Sequence, residues 1–192
     1  MKRLSPLLLA AALLSLPAAA QAVTVGVSMA LFDDNFLTAV RASMKDRAEQ
    51  LRVSAQFEDA ENDIGRQLNQ IQNFIAQRVD AIIVNPVDTD ATPRMTQLAV
   101  AAGIPLVYVN RMPADKPLPA GVSFVGSDET QSGTLEMTEV CRLLAGKGDI
   151  VVLMGELTNQ SARQRTRDIE NVIARPASPS SGRTRPSPAP SR

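Results

Sequence analysis

The chain has 192 residues, with 20 basic and 20 acidic side chains, no histidine and one cysteine. Balanced charge gives no electrostatic basis for binding nucleic acid or an anionic surface. Without histidine there is no Ser-His-Asp triad, Cys-His pair or histidine-based zinc site, and a lone Cys141 cannot close an intrachain disulfide.

The chain opens "MKRLSPLLLAAALLSLPAAAQA". Lys2 and Arg3 form a basic start, a Leu/Ala run follows, and Ala20-Gln21-Ala22 is a small-x-small cleavage pattern. The apolar run is shorter than the roughly 20 residues of a membrane span. Residues 1–22 are therefore expected to be a secretory signal peptide cut after Ala22, leaving an exported chain with no stable membrane insertion. No cysteine follows the cut, which speaks against a lipoprotein.

The mature elements alternate. "VTVGVSM" (Val23 to Met29) is rich in β-formers and predicts a strand. Asp33 and Asp34 supply helix-capping chemistry, and Phe36, Val40, Met44, Ala48 and Leu51 then recur at helical spacing. "VSAQFED" alternates like a strand. From Asp63 a second helix places Ile64, Leu68, Ile71 and Ile75 on one face. "AIIV" predicts a short buried strand. A helix from Thr89 to Ala102 ends at Gly103, and Asp88 and Asp90 read as its caps. "IPLVYV" and "GVSFVGS" predict two more strands. Ser127 to Leu144 reads as a helix with Met137, Val140, Cys141 and Leu144 on its inner stripe. "DIVVLMG" predicts another strand, and a last helix runs from about Asn159 to Ala174.

This order predicts an α/β fold, a doubly wound and mainly parallel sheet with helices on both faces. In such sheets ligands sit beyond the carboxyl ends of the strands. Asn85, Asn110, Arg111 and the stretch Phe32 to Asn35 all fall there. From Arg175 to Arg192 the composition changes to Arg, Pro, Ala, Ser, Gly and Thr, which cannot build a core. This tail is expected to be disordered. One reading is a functional flexible tail; the preferred expectation is a reading-frame shift near Arg175 in a GC-rich gene, and an intact frame with the same stop on resequencing the locus would sink it.

Taken together, "FDDNF", "IIVNPVDTDA", "IPLVYVNR" and "NQSARQRT" resemble periplasmic sugar-binding proteins of the ribose-binding type. These are soluble receptors of ABC importers, related in fold to LacI-type effector domains. The resemblance covers roughly Val23 to Ala174. It implies two α/β lobes with a sugar or polyol held between them and an ABC importer permease as partner. It also implies a periplasmic location, no enzymatic activity and no cofactor or metal. The implied division is a first lobe over residues 23–126, then a hinge crossing and the start of a second lobe over 127–174. Family members continue well beyond this point. The resemblance thus implies a C-terminally truncated chain with uncovered apolar faces, prone to aggregate.

The same resemblance assigns ligand roles to Asn85, Asn110 and Arg111, and to Arg165 at the second lobe. Many relatives carry Asp where Asn110 stands. Asp33, Asn35 and Phe36 line the same edge, where the sequence departs from the double-aromatic pattern of ribose binders. Plainer readings stand beside these. Asp33 fits a helix cap, Phe36 fits the inner stripe, Asn85 before Pro86 fits turn chemistry, and Arg165 competes with Arg163 and Arg167. "VNRMP" and "GELTNQSARQRT" are similar to inositol- and polyol-binding members. The competing functions are a non-binding remnant of such a receptor, a regulator without its DNA-binding helices, and an enzyme without a visible nucleophile.

Overall fold

A computed structural model describes residues 22–174. The expectations for the leader, Ala22 apart, and for residues 175–192 lie outside the described residues. The chain forms β1 (Thr24–Met29), α1 (Asn35–Leu51), β2 (Ser54–Asp59), α2 (Ile64–Gln77) and β3 (Ala81–Val84). A 3-10 turn (Thr89–Ala91) leads into α3 (Thr92–Ala101), followed by β4 (Leu106–Val109), β5 (Val122–Val125), α4 (Glu129–Leu143) and α5 (Gln160–Ala174).

The five strands form one parallel sheet in the order β2-β1-β3-β4-β5, with Val27 opposite both Phe57 and Ile83. Helices cover both faces. On one, Ile71 and Phe74 of α2 and Met95 and Ala99 of α3 pack on Ile82, Val84, Leu106 and Tyr108. On the other, Leu37, Val40 and Met44 of α1 pack on Val27, Met29, Phe57 and Ile83. The doubly wound, parallel fold expected from the alternation is the one observed.

Local chemistry sets the ends of these elements. Asp34 caps α1 by accepting from the Leu37 amide at 2.7 Å, and Asp63 caps α2 by accepting from the Arg66 amide at 2.7 Å. The Asp80 carboxylate accepts from the amide and hydroxyl of Thr24 at 2.7 and 2.9 Å. These bonds hold its pKa below the ordinary value and pin the start of β1 beside β3. Gly26 gives the Phe74 ring its room, because a Cβ there would lie 2.4 Å from Cγ of that ring. Gly26→Ala should therefore cost about 2–3 kcal/mol by overpacking. The check is a lower urea midpoint at unchanged slope.

Three expectations change. Phe36 does not join the inner stripe of α1. It is 60% exposed, and Leu37, one position on, is buried instead. Leu51 and Leu144 also face solvent. The run "DIVVLMG" is not a strand: residues 149–155 form no ladder, with Val151 at 88% and Leu153 at 94% exposure. A strand exists only with a partner edge, and among the described residues none lies beside this run. Where α4 and α5 pack, Gly133 permits a close crossing. A Cβ on it would lie 2.8 Å from Cα of Arg165.

Candidate functional site

In the sheet, β1 is followed by β2 on one side and β3 on the other. The loops after β1 and β3 therefore open at the topological switch point, where such sheets hold ligands. Asn85, directly after β3, is fully buried at this point. Its Nδ2 donates to the Val109 carbonyl at 3.2 Å, and its Oδ1 accepts from the Ala30 amide at 3.4 Å. One side chain thus ties the end of β3 to the ends of β1 and β4. The structure places Asn85 beneath the edge as a clamp.

A buried polar network continues the clamp. Gln67 of α2 donates to the Asn85 carbonyl at 3.0 Å and to the Ser28 hydroxyl at 3.1 Å, and accepts from the Val87 amide at 2.8 Å. The Ser28 hydroxyl donates to Gln70 at 2.7 Å, and Gln70 donates to the Asp59 carbonyl at 2.7 Å. Satisfied networks in a low-dielectric interior rigidify what they join. Here that is the loop that carries Pro86 and Val87.

Arg111 leans on this loop. Its Nη1 donates to the carbonyls of Pro86 and Val87 at 2.9 and 3.0 Å. Its Nε is buried without a hydrogen-bond partner. Burial pulls its pKa below the ordinary arginine value, while the carboxylates of Glu156 and Asp34 favour the charged form. It remains a cation at any physiological pH. A buried guanidinium nitrogen with no acceptor is costly unless something supplies one. Asn110, just before it, has φ +65, and the Arg111 amide turns back to the Val109 carbonyl at 2.7 Å. This three-residue turn ends β4 abruptly.

Arg165, on α5, donates through Nε to Glu129 and through Nη1 to Glu136 at 3.4 Å. The bond to Glu129 chiefly raises its pKa, and Glu129 itself is buried. The guanidinium is therefore fixed in place by α4. Asn110 and Arg165 line one cleft of about 340 Å³, together with Val152 to Gly155, Asn159 and Thr166. That volume is at the small end of small-molecule sites.

The other expected residues sit apart from this cleft's lining. Asp33, Asn35 and Phe36 are exposed at the start of α1, on the same sheet edge. Asp34 rather than Asp33 caps the helix. Of the two arginines competing with Arg165, Arg167 is exposed and bonds Gln164 at 2.7 Å, whereas Arg163 is half-buried and pairs with Asp90 at 2.8 Å. Asp88 caps the 3-10 turn as expected, but Asp90 goes to Arg163. The sequence reading missed Gln67 and Gln70, although they share a helical face with Ile71 and Phe74. It also missed Glu129 and Glu136, which orient Arg165.

Comparison with known proteins agrees with this fold. The profile of the periplasmic binding protein domain matches residues 25–185. A putative rhizopine-binding protein of Rhizobium meliloti is 59% identical over 81% of this chain and 51% of its own length. A xylitol-binding protein of Mycolicibacterium smegmatis is 32% identical over 82% of this chain and 44% of its own. Among solved structures, an ABC transporter solute binding protein from Bacillus halodurans with bound myo-inositol superposes with a TM-score of 0.74 at 38% identity. It covers 78% of this chain and 52% of that one. The chain spans about half the length of the curated relatives it matches. By sequence and by fold, the chain belongs to the periplasmic binding protein domain family.

Proposed function

We propose that this chain is an exported solute receptor that takes a polyol or sugar into the cleft between its strand ends and α5, for delivery to an ABC-type permease. The observation that carries this is the meeting of Asn110 and Arg165, 55 positions apart in sequence, in one cleft. Arg111, next to Asn110 in the chain though not part of the cleft's lining, carries an unmet donor. Amide and guanidinium groups suit a ligand made of hydroxyls, since an amide both donates and accepts and guanidinium presents a rigid fork of donors. Among the described residues, no aromatic lines the cleft. That favours a polyol, hydroxylated all round, over a sugar that needs a stacking plate. The relatives named for rhizopine and xylitol, and the structure holding myo-inositol, support this class.

In this reading residues 23–126 form one wall and residues 127–174 contribute the other. A ligand touching both walls stabilises their approach, because only the closed arrangement makes both sets of contacts. Asn85 holds the site from below, and Asp33, Asn35 and Phe36 stand at its rim. No described helix is long and apolar enough to cross a membrane, and the family is periplasmic. Export with cleavage after Ala22 should leave Val23 as the first residue found by terminal sequencing.

Calorimetric titration of residues 23–192, first shown to be folded by circular dichroism, tests the proposal. Myo-inositol should bind saturably in the micromolar range and more tightly than ribose. A folded sample giving no heat with inositols, xylitol, pentoses or hexoses would sink it. That result would favour the second reading, a family fold that no longer binds, for which the uncovered run Ile150 to Met154 speaks.

A further inference from the structure

Away from the cleft, a polar seam joins the 3-10 turn after β3 to the chain entering α5. The Thr89 amide and hydroxyl both donate to the Thr158 carbonyl at 3.1 Å. Thr89 is fully buried, so water does not compete for that bond. Over it lies Arg163. Its Nη2 and Nη1 reach the two Asp90 carboxylate oxygens at 2.8 and 3.1 Å, a bidentate fork. The same guanidinium reaches the Thr89 hydroxyl at 3.3 Å and the Leu157 carbonyl. Every one of these groups belongs either to residues 89–90 or to residues 157–163. The fork thus ties the turn after β3 to the segment entering α5, whose Asn159, Ser161 and Ala162 line the cleft.

We propose that Asp90 and Arg163 form a ligand-independent latch, which holds the α5 wall against the sheet and so fixes the separation of Asn110 and Arg165. Neither Asp90 nor Arg163 lines the cleft, so both are positioning residues. The proposal that the latch serves binding rests on the receptor reading above; the latch itself does not. Two further features fit a latch rather than a permanent weld. Asp90 is 65% exposed in its side chain, so salt screens the fork. The seam is also narrow, because α5 packs mainly on α4 and not on the sheet. The latch lets the cleft open transiently without unfolding β1 to β5, the kind of sub-global opening that amide exchange reads.

The Thr89 amide is the reporter, because its acceptor lies across the seam. Its exchange is to be measured by NMR in the ligand-free chain for wild type, Asp90→Asn, Arg163→Gln and the reversed pair Asp90→Arg with Arg163→Asp. Each single variant should speed exchange at Thr89 by about fivefold, in keeping with one ion pair of near 1 kcal/mol. Amides of β1 and β3 should be unchanged. The reversed pair should restore most of the protection, and added salt should speed wild type toward the single variants. Wild-type exchange in the single variants, no recovery in the reversed pair, or equal acceleration throughout β1 and β3 would each overturn the latch. Myo-inositol titration of the same four proteins separates the two claims. Failure to bind in all four removes the receptor reading and leaves the exchange result standing. If wild type binds, the single variants should bind more weakly and the reversed pair should recover.

Discussion

Asn85→Leu should lower stability by about 2–4 kcal/mol and abolish ligand binding with it. Leucine fills a similar space, so the loss is not one of packing. It leaves the buried Ala30 amide without its side-chain acceptor and the Val109 carbonyl with the Arg111 amide alone; an orphaned buried group costs about 1–3 kcal/mol, and the lost second bond adds to it. The change lies at the meeting of β1, β3 and β4, against a total stability of roughly 5–15 kcal/mol for an ordinary domain. A fall in urea midpoint at constant slope is the expected signature. An unchanged midpoint would show that the clamp is dispensable.

Arg111→Ala should reduce polyol affinity by roughly 30- to 150-fold, which corresponds to about 2–3 kcal/mol for hydrogen bonds to a charged group. Stability should change less, because Pro86 and Val87 lose a donor at a half-buried position. Arg111→Lys is the informative partner. It keeps the charge and can brace the two carbonyls, but it has no Nε to offer and no planar fork. If stability recovers in the lysine variant while affinity does not, the orphan nitrogen is what ligand satisfies. Unchanged affinity in folded Arg111→Ala removes Arg111 from the site.

Much of this was legible in the residues. The apolar runs of β1, β3 and β4 and the Asp-capped helices between them identify a parallel sheet, because only covered strands tolerate such runs. The position of Asn110 and Arg111 at its carboxyl edge follows from the same alternation. What was not legible depended on contacts between distant elements. The run at Ile150 carries every local mark of a strand, yet pairing is a property of two segments. Phe36 falls on a helical period with Val40 and Met44, but in the first turn it is Leu37, one position on, that faces the sheet, and Phe36 is turned to solvent. Gln67 and Gln70 looked like polar interruptions of an apolar face. Their meaning appears only when Ser28 and Asn85 arrive opposite them. Arg165 could not be told from Arg163 until Glu129 and Asp90 claimed one each.

The backbone at Asn110 limits which residues evolution can try there. A φ of +65 is a conformation that L-residues with ordinary side chains adopt at a cost, while glycine, asparagine and aspartate accept it readily. Glycine, asparagine and aspartate are therefore favoured at this cleft-lining position, although Arg52 and Arg78 adopt a similar φ elsewhere in the chain. Glycine removes the polar group altogether. Asparagine and aspartate differ by one atom of nearly equal size, an NH2 for an oxygen, and their codons differ by a single base. Selectivity at this point can change in one mutational step, from a group that donates and accepts to one that only accepts, with no disturbance to the turn that presents it. Under the proposed receptor function, the turn at Asn110 gives the lineage a one-step switch between two hydrogen-bonding chemistries.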